Sequence, residues 1–420
     1  MRRTMLGLAF VVAAEALAAQ SIPGIPSTNA RVRTAVELVR SDNAWTLQQQ
    51  VELTQIPAPP FKEAARGAEF KRRLEAIGYR DVRIDSVGNV IATRRGDGNG
   101  PTVVIAGHLD TVFPDSTDVT VRRDGDRLRA PGIADNSRGL AVVMAVARAF
   151  EKAGVRTNGT VYFVGNVGEE GPGNLRGVRH LLGTELKGKV DYFVTVDDSG
   201  LDIVSRAVGS HRYRVAYTGP GGHSYGSFGI PNPIHALGRA IAGISDVQVA
   251  QRPRTTFNVG IVRGGSSVNS IAAEAVMEVD LRSEDVASLA ALDATVRRIL
   301  SDALAAENAR WTGRGAQEAK LALRIDTIGI RPTGAQSDSA VIVRTAMAAA
   351  RALGFTTTTG AASTDANIPI SLGIPGIRIG GGGRGEGAHT LGEWYSDGAN
   401  GYLGAQWAVL LVAALAGVRD

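Results

Sequence analysis

The sequence predicts an α/β protein: a layered αβα domain with a mostly parallel sheet, interrupted by a smaller α+β domain. Three observations predict it. From about residue 102, short runs apolar on both faces alternate with helical stretches, the pattern of parallel strands buried between helix layers. Near Ser205 the style changes to strict apolar–polar alternation, which marks a sheet with one open face. After about Asp326 the buried style returns, so one domain is split by another.

The elements follow in chain order. The start, MRRTMLGLAFVVAAEALAAQ, has Arg2 and Arg3, an apolar run from Met5, then Ala16-Leu17-Ala18 as a small-x-small cleavage signal. Residues 1–19 therefore read as a signal peptide, and the mature protein is expected to be exported, periplasmic or secreted. The run is too short to span a bilayer comfortably, so no stable membrane insertion is expected. Residues 30–90 are helical in pattern around a turn at Ile56-Pro57-Ala58-Pro59-Pro60, and 65–78 ends on a glycine as helices do. Strand 102–106, helix 138–153, strand 160–165, helix 174–186 and strand 192–196 complete the first segment of the larger domain, 20–205. In the inserted domain, 206–325, Tyr213, Val215 and Tyr217 alternate with Arg212, Arg214 and Ala216. A second alternating strand, 276–281, precedes helix 285–304. The return segment, 326–420, carries helix 338–353, strand 376–379 and an apolar helix over 404–415.

Composition excludes several function classes. A chain of 420 residues with 44% hydrophobic and 21% charged residues is an ordinary globular protein of two to three domains. The net charge of +5, from 46 basic and 41 acidic residues spread without a basic block, gives no footing for a nucleic-acid partner. No cysteine is present, which removes disulfides, thiolate ligands and cysteine nucleophiles. Any metal must be held by His, Asp or Glu.

Those residue types fall at strand ends. His108 and Asp110 follow strand 102–106, where open α/β sheets place their ligand sites. Asp135 stands before helix 138–153, Glu169 and Glu170 follow strand 160–165, Asp197 and Asp198 follow strand 192–196, and His389 comes late in a glycine-rich stretch. Singly, each has a plain structural reading: an Asp before a helix is a common N-cap, and paired glutamates in a glycine loop are usually a solvated turn. Jointly those readings do not explain why successive strand ends all carry ligand atoms. Carboxylates with two imidazoles suit one or two borderline divalent ions, zinc first, with Co2+ or Mn2+ accommodated. His180, His211 and His235 read as ordinary helix or strand residues.

The blocks GHLDTV, ADNSRG, GEEG, TVDD, GGHS and AHTLGEW, in that order, resemble the co-catalytic metallopeptidases and amidohydrolases of the M20 family. That family includes peptidase T, carboxypeptidase G, acetylornithine deacetylase and succinyl-diaminopimelate desuccinylase. The resemblance covers most of the chain and implies a catalytic domain interrupted by a lid that forms a homodimer interface. It implies two divalent metal ions, with His108 and Glu170 as terminal ligands, Asp135 bridging, and Asp197 and His389 completing the shell. Asp198 is the alternative to Asp197. Asp110 is expected to orient the His108 imidazole by a hydrogen bond, and Glu169 to be the general base. His223, delivered from the partner's lid, is the implied oxyanion donor, and Asn269 and Arg282 match positions that hold substrate. The implied reaction is hydrolysis of an amide or peptide bond in a short peptide or N-acyl amino acid. The TVDD block is nearer peptidase T, which favours an aminopeptidase-like exopeptidase. A carboxypeptidase or N-acyl-amino-acid amidohydrolase is the alternative.

Two other classes compete. Gly222-His223-Ser224-Tyr225-Gly226 matches the nucleophile elbow of serine hydrolases, with Asp365 and His389 following in order. That elbow needs a helix at once after the serine, and the Pro231 and Pro233 region opposes it. An inactive, peptide-binding relative would lack the base or a ligand, and none is missing. The run Gly380 to Gly383 lacks the ending of a phosphate-binding loop and reads as an approach to His389.

Overall fold

The computed structural model describes residues 22–312 and 319–419; the expected signal peptide lies outside the described residues. Among the described residues, nine strands form the central sheet. Their spatial order is Val82–Ile84, Val90–Arg94, Val161–Asn166, Val103–His108, Tyr192–Val196, Gly376–Ile379, Ile203–Ala207 and Gly334–Ala335, with Thr359–Ala362 also paired to Ile203–Ala207. The centre is parallel: Val103 lies opposite Val161 and Tyr192, and Gly376 opposite Phe193. Antiparallel strands flank it on both sides.

Alternate residues of one strand enter different cores, which is why these runs are apolar throughout. Val103 and Ile105 join Val143, Phe163, Trp407 and Leu411 beneath helices Ser137–Lys152 and Leu403–Ala416. Val104 and Ala106 face Val178, Leu181 and Phe193 on the other side. That second layer differs from the continuous helix expected over 174–186. Asn174 and Leu175 are both left-handed, so the α-helix begins only at Arg176 and passes at His180 into a π-turn, Leu181–Glu185.

The sheet leads directly into the lid. After Ile203–Ala207, strand Gly209–Thr218 becomes part of a four-stranded antiparallel sheet ordered Thr255–Gly264, Glu274–Ser283, Gly209–Thr218, Ala322–Arg331. Tyr213, Val215, Tyr217, Met277, Val279 and Leu281 pack on helices Pro233–Ser245 and Val286–Trp311. The opposite face is charged, with Arg212 opposite Asp280 and Arg214 opposite Glu278. Strand Ala322–Arg331 runs through residue 326, where the return segment was expected to start, because its pairing continues until Arg331 meets Ser210.

Candidate metal centre and active-site cleft

Five segments bring the expected ligands together. His108 ends strand Val103–His108 and is buried. Asp135 precedes helix Ser137–Lys152 but does not cap it: the Asn136 side chain accepts the Gly139 N–H at 3.0 Å. The capping role falls one residue later, and the Asp135 carboxylate is left to the cleft. Helix and sheet meet closely here, since a Cβ on Gly139 would lie 2.1 Å from the Val196 carbonyl oxygen.

Asp135 faces both imidazoles. Its Oδ1 is 3.1 Å from His108 Nε2 and its Oδ2 is 3.1 Å from His389 Nε2. Asp197 Oδ1 lies 3.4 Å from His108 Nε2, and Glu170 Oε1 3.1 Å from His389 Nε2. Ligands held at 2.0–2.1 Å in a tetrahedral shell are about 3.3 Å apart, so these separations suit two ions sharing Asp135. His108, Asp135 and Glu170 also present ligand atoms within 4.8 Å of one another. The donor set therefore fits a pair of divalent cations.

The electrostatics point the same way. Burial opposes a charged His108, yet Asp110, Asp135 and Asp197 hold its pKa well above the usual value. Hydrogen bonds to Asp135 and Glu170 push His389 up to about 11. Burial, then the Asp135 charge, raises Glu170 to about 8. Protons crowd onto a cluster whose acids outnumber its imidazoles, which is the potential a cation would find there.

Asp198 turns away: in the left-handed region, at φ 60°, its Oδ1 accepts the Ser199 N–H at 2.7 Å and its Oδ2 is 4.0 Å from Arg378 Nη2. Asp110 is placed differently from expectation. Its carboxylate is 3.6 Å from His108 Nδ1, and the 3.0 Å contact to that nitrogen is made by the Asp110 backbone carbonyl. The carboxylate accepts the backbone N–H groups of Glu169 and Glu170 instead, at 3.0 and 2.8 Å. Those glutamates are no solvated turn, being 6% and 5% exposed.

A cleft of about 610 Å³ opens above this centre. It is lined by Asp135, Glu169, Glu170, Asp197 and His389 from below and by Arg212, Asp280 and Arg282 from the lid. Arg282 thus reaches the site, held by Asp280 at 2.7 Å. His223 and Asn269 do not line it. They sit on the lid hairpin where Gly222–His223 pairs with Ser270–Ile271 and the Ser224 N–H donates to the Asn269 carbonyl. Ser224 is no elbow nucleophile, because residues 224–229 are turns and the next helix begins only at Pro233. His389 is engaged by Asp135 and Glu170, and Asp365 by Asn166 at 2.7 Å, so that triad is not assembled.

Three further residues shape the site without having been singled out in the sequence. Glu393, 1% exposed, accepts the backbone N–H groups of Gly132, Ala134 and Asp135 at 2.7, 2.8 and 3.0 Å and so holds the loop bearing Asp135. Arg331 pairs with Glu169 at 3.0 Å, and Arg378 with Asp202 at 2.8 Å. Glu393 had a signal, lying four residues after His389 in the same block. The two arginines had none, since each is one basic residue in a strand.

The model of peptidase family M20/M25/M40 matches residues 104–413. Carboxypeptidase G2 of Pseudomonas sp. (strain RS-16) is 28% identical over 231 residues, covering 52% of this chain and 54% of that protein, so the match spans about half of the relative's length. Among solved structures, a tripeptidase from Staphylococcus aureus superposes with TM-score 0.70 at 23% identity, covering 88% of this chain and 98% of that one. A dinuclear metal binding peptidase from Bacillus subtilis superposes with TM-score 0.63 at 19% identity, covering 90% and 99%. At such identities these two likenesses are of fold.

Proposed function

The chain belongs to the M20/M25/M40 peptidase family, and from that premise we propose that it is a dinuclear metallohydrolase that trims short peptides from one end. The observation that carries this reading is Asp135, whose two oxygens each face a different imidazole while Asp197 and Glu170 close the two sides. When bound, the two ions lower the pKa of water and polarise the scissile carbonyl. Zinc is the proposed metal, since two imidazoles and three carboxylates suit a borderline cation, with Co2+ or Mn2+ as substitutes.

The chain's own residues do the rest. Glu169 is fixed through Oε1 by Arg331, while no hydrogen bond engages Oε2 among the described residues. Oε2 is the proposed acceptor of the proton from the attacking water and its donor to the leaving nitrogen. Arg282, on the cleft roof, is the proposed partner of a substrate carboxylate. His223 and Asn269 are proposed to enter the cleft of a second copy, where His223 would stabilise the developing oxyanion. The lid supports a homodimer: among the described residues its edge strand Thr255–Gly264 has one unpaired side, and Tyr225, Val262 and Val268 are exposed.

Charge in the cleft supports a reading of the direction of attack. Asp198 and Asp202 line the same cleft beyond Asp197, partly exposed and with Arg378 beside them, and this acidic side of the cleft supports the aminopeptidase-like reading. The guanidinium groups of Arg212 and Arg282 across the cleft favour the second reading, a carboxypeptidase or N-acyl-amino-acid amidohydrolase. Export through the N-terminal segment is proposed on its sequence alone. Among the described residues no helix is long and apolar enough to cross a membrane.

The test is elemental analysis of the protein after zinc loading and dialysis, beside the turnover of Glu169→Gln. Two ions per chain in both proteins, with turnover in the variant lower by about 10²–10⁴-fold, is expected. Absence of metal, or an undiminished rate in the variant, rejects the mechanism. Peptides blocked at one end and then the other assign the direction.

A further inference from the structure

The segment that carries Glu169 is anchored on two sides, one in each domain. In the catalytic domain, Asp110 accepts the N–H groups of Glu169 and Glu170. On the other side the partners all come from the lid strands where they enter and leave the central sheet. Arg331 Nη1 donates to Glu169 Oε1 at 3.0 Å and to Ser363 Oγ at 3.1 Å, and Nη2 donates to the Glu169 carbonyl. The neighbouring Ile330 donates its N–H to Asn174 Oδ1 at 3.0 Å and accepts from Arg179 Nη2. Arg212, on the adjoining strand, donates to the Gly171 carbonyl at 3.1 Å.

These contacts meet at the hinge. Ser210 and Arg331 are opposite each other in the two strands that connect lid and catalytic domain. The ribbon is tight, because a Cβ on Gly209 would stand 2.0 Å from Thr333 Oγ1. Arg331 is 4% exposed, and its two terminal nitrogens are engaged by Glu169 and Ser363. Although it lines the cleft, those terminal nitrogens are spent on the protein rather than offered to a substrate. A guanidinium that grips one residue by both side chain and carbonyl fixes orientation as well as distance.

We infer that Arg331 is a positioning residue that transmits the placement of the lid to Glu169, so that the base is aligned only when the hinge ribbon is docked. The inference rests on the proposed role of Glu169 as base. Displacing a reacting group by about 1 Å costs about 10²-fold in rate, so the linkage would make turnover depend on the hinge while leaving the metal ligands in place.

The experiment uses the metal-loaded full chain with Arg331→Met and Arg331→Lys, beside Glu169→Gln. For Arg331→Met, kcat is expected to fall about 10- to 100-fold, with KM within about twofold of wild type and two metals retained. Arg331→Lys, which keeps the charge but not the fork, recovers part of the rate. In the metal-free proteins, hydrogen exchange over residues 168–174 accelerates in Arg331→Met while Val103–His108 and Tyr192–Val196 stay protected. A wild-type kcat in both Arg331 variants overturns the inference, as does a rise in KM alone, which would make Arg331 a substrate ligand. Exchange that accelerates uniformly, with kcat per folded molecule unchanged, would make it only structural. Normal turnover by Glu169→Gln brings down the base assignment instead, whatever Arg331 does. If Arg331→Met does not fold, the lysine variant carries the same comparison.

Discussion

Asp110 and Glu393 show how single buried carboxylates hold the loops that bear candidate metal ligands without joining the ligand set. Each spends its oxygens on backbone N–H groups: Asp110 on Glu169 and Glu170, Glu393 on Gly132, Ala134 and Asp135. A ligand loop rich in glycine has little stiffness of its own, and an acid that accepts two or three of its N–H groups supplies the rigidity. Asp110→Asn would turn an NH2 toward one of those N–H donors. Metal affinity is expected to fall by about 10- to 100-fold, read by competition with a chromophoric chelator; unchanged affinity would mean that the Asp110 carbonyl on His108 suffices. At this scale the sequence was legible where a residue type is itself the chemistry, as with His108 or Glu170. It was illegible for Arg331, because nothing local distinguishes an arginine that crosses a hinge from one that is solvated.

Elements were legible where burial is one-sided or complete. The strand Tyr192–Val196 and the alternation of Tyr213, Val215 and Tyr217 follow directly from which faces are covered. The break at Asn174 and Leu175 was not legible, since left-handed backbone at a leucine is set by the tertiary contacts of Asn174 with Ile330. Helix Ala64–Ile77 carries a further prediction. Its Glu69 accepts from Arg72 and Arg73, and Arg73 continues to Gln49 and Glu52 on helix Asn43–Thr54. The hydrogen bonds from Arg72, and then Arg73, hold the Glu69 pKa at about 2, below the ordinary 4.5, against the opposing effect of burial. A depressed carboxylate stabilises the fold above its unfolded pKa, and that contribution is lost as pH falls through the folded value. Glu69→Gln should therefore melt below wild type at pH 6, and the two melting curves should converge between pH 4.5 and 2. A gap that keeps its full size down to pH 2 would assign the effect to packing.

At the scale of the molecule, the lid places Arg282 over the cleft of its own chain while His223 and Asn269 stand away from it on the hairpin. If the proposed dimer completes each site with the partner's His223, mixing inactive subunits restores activity. In a heterodimer of His223→Ala with Glu169→Gln, one site has its own Glu169 and an intact histidine from the other chain. Random reassociation then yields about a quarter of the wild-type rate, whereas no recovery means that each chain works alone. The sequence by itself determined the fold class, the split domain and the family, because burial periodicity and residue chemistry are written along the chain. Only the tertiary structure decided that Asn136 rather than Asp135 caps its helix, that Asp197 faces His108 while Asp198 turns to Arg378, and that Arg331 grips Glu169. Those choices depend on directions and distances of a few ångströms between segments far apart in the chain, and no local pattern encodes them.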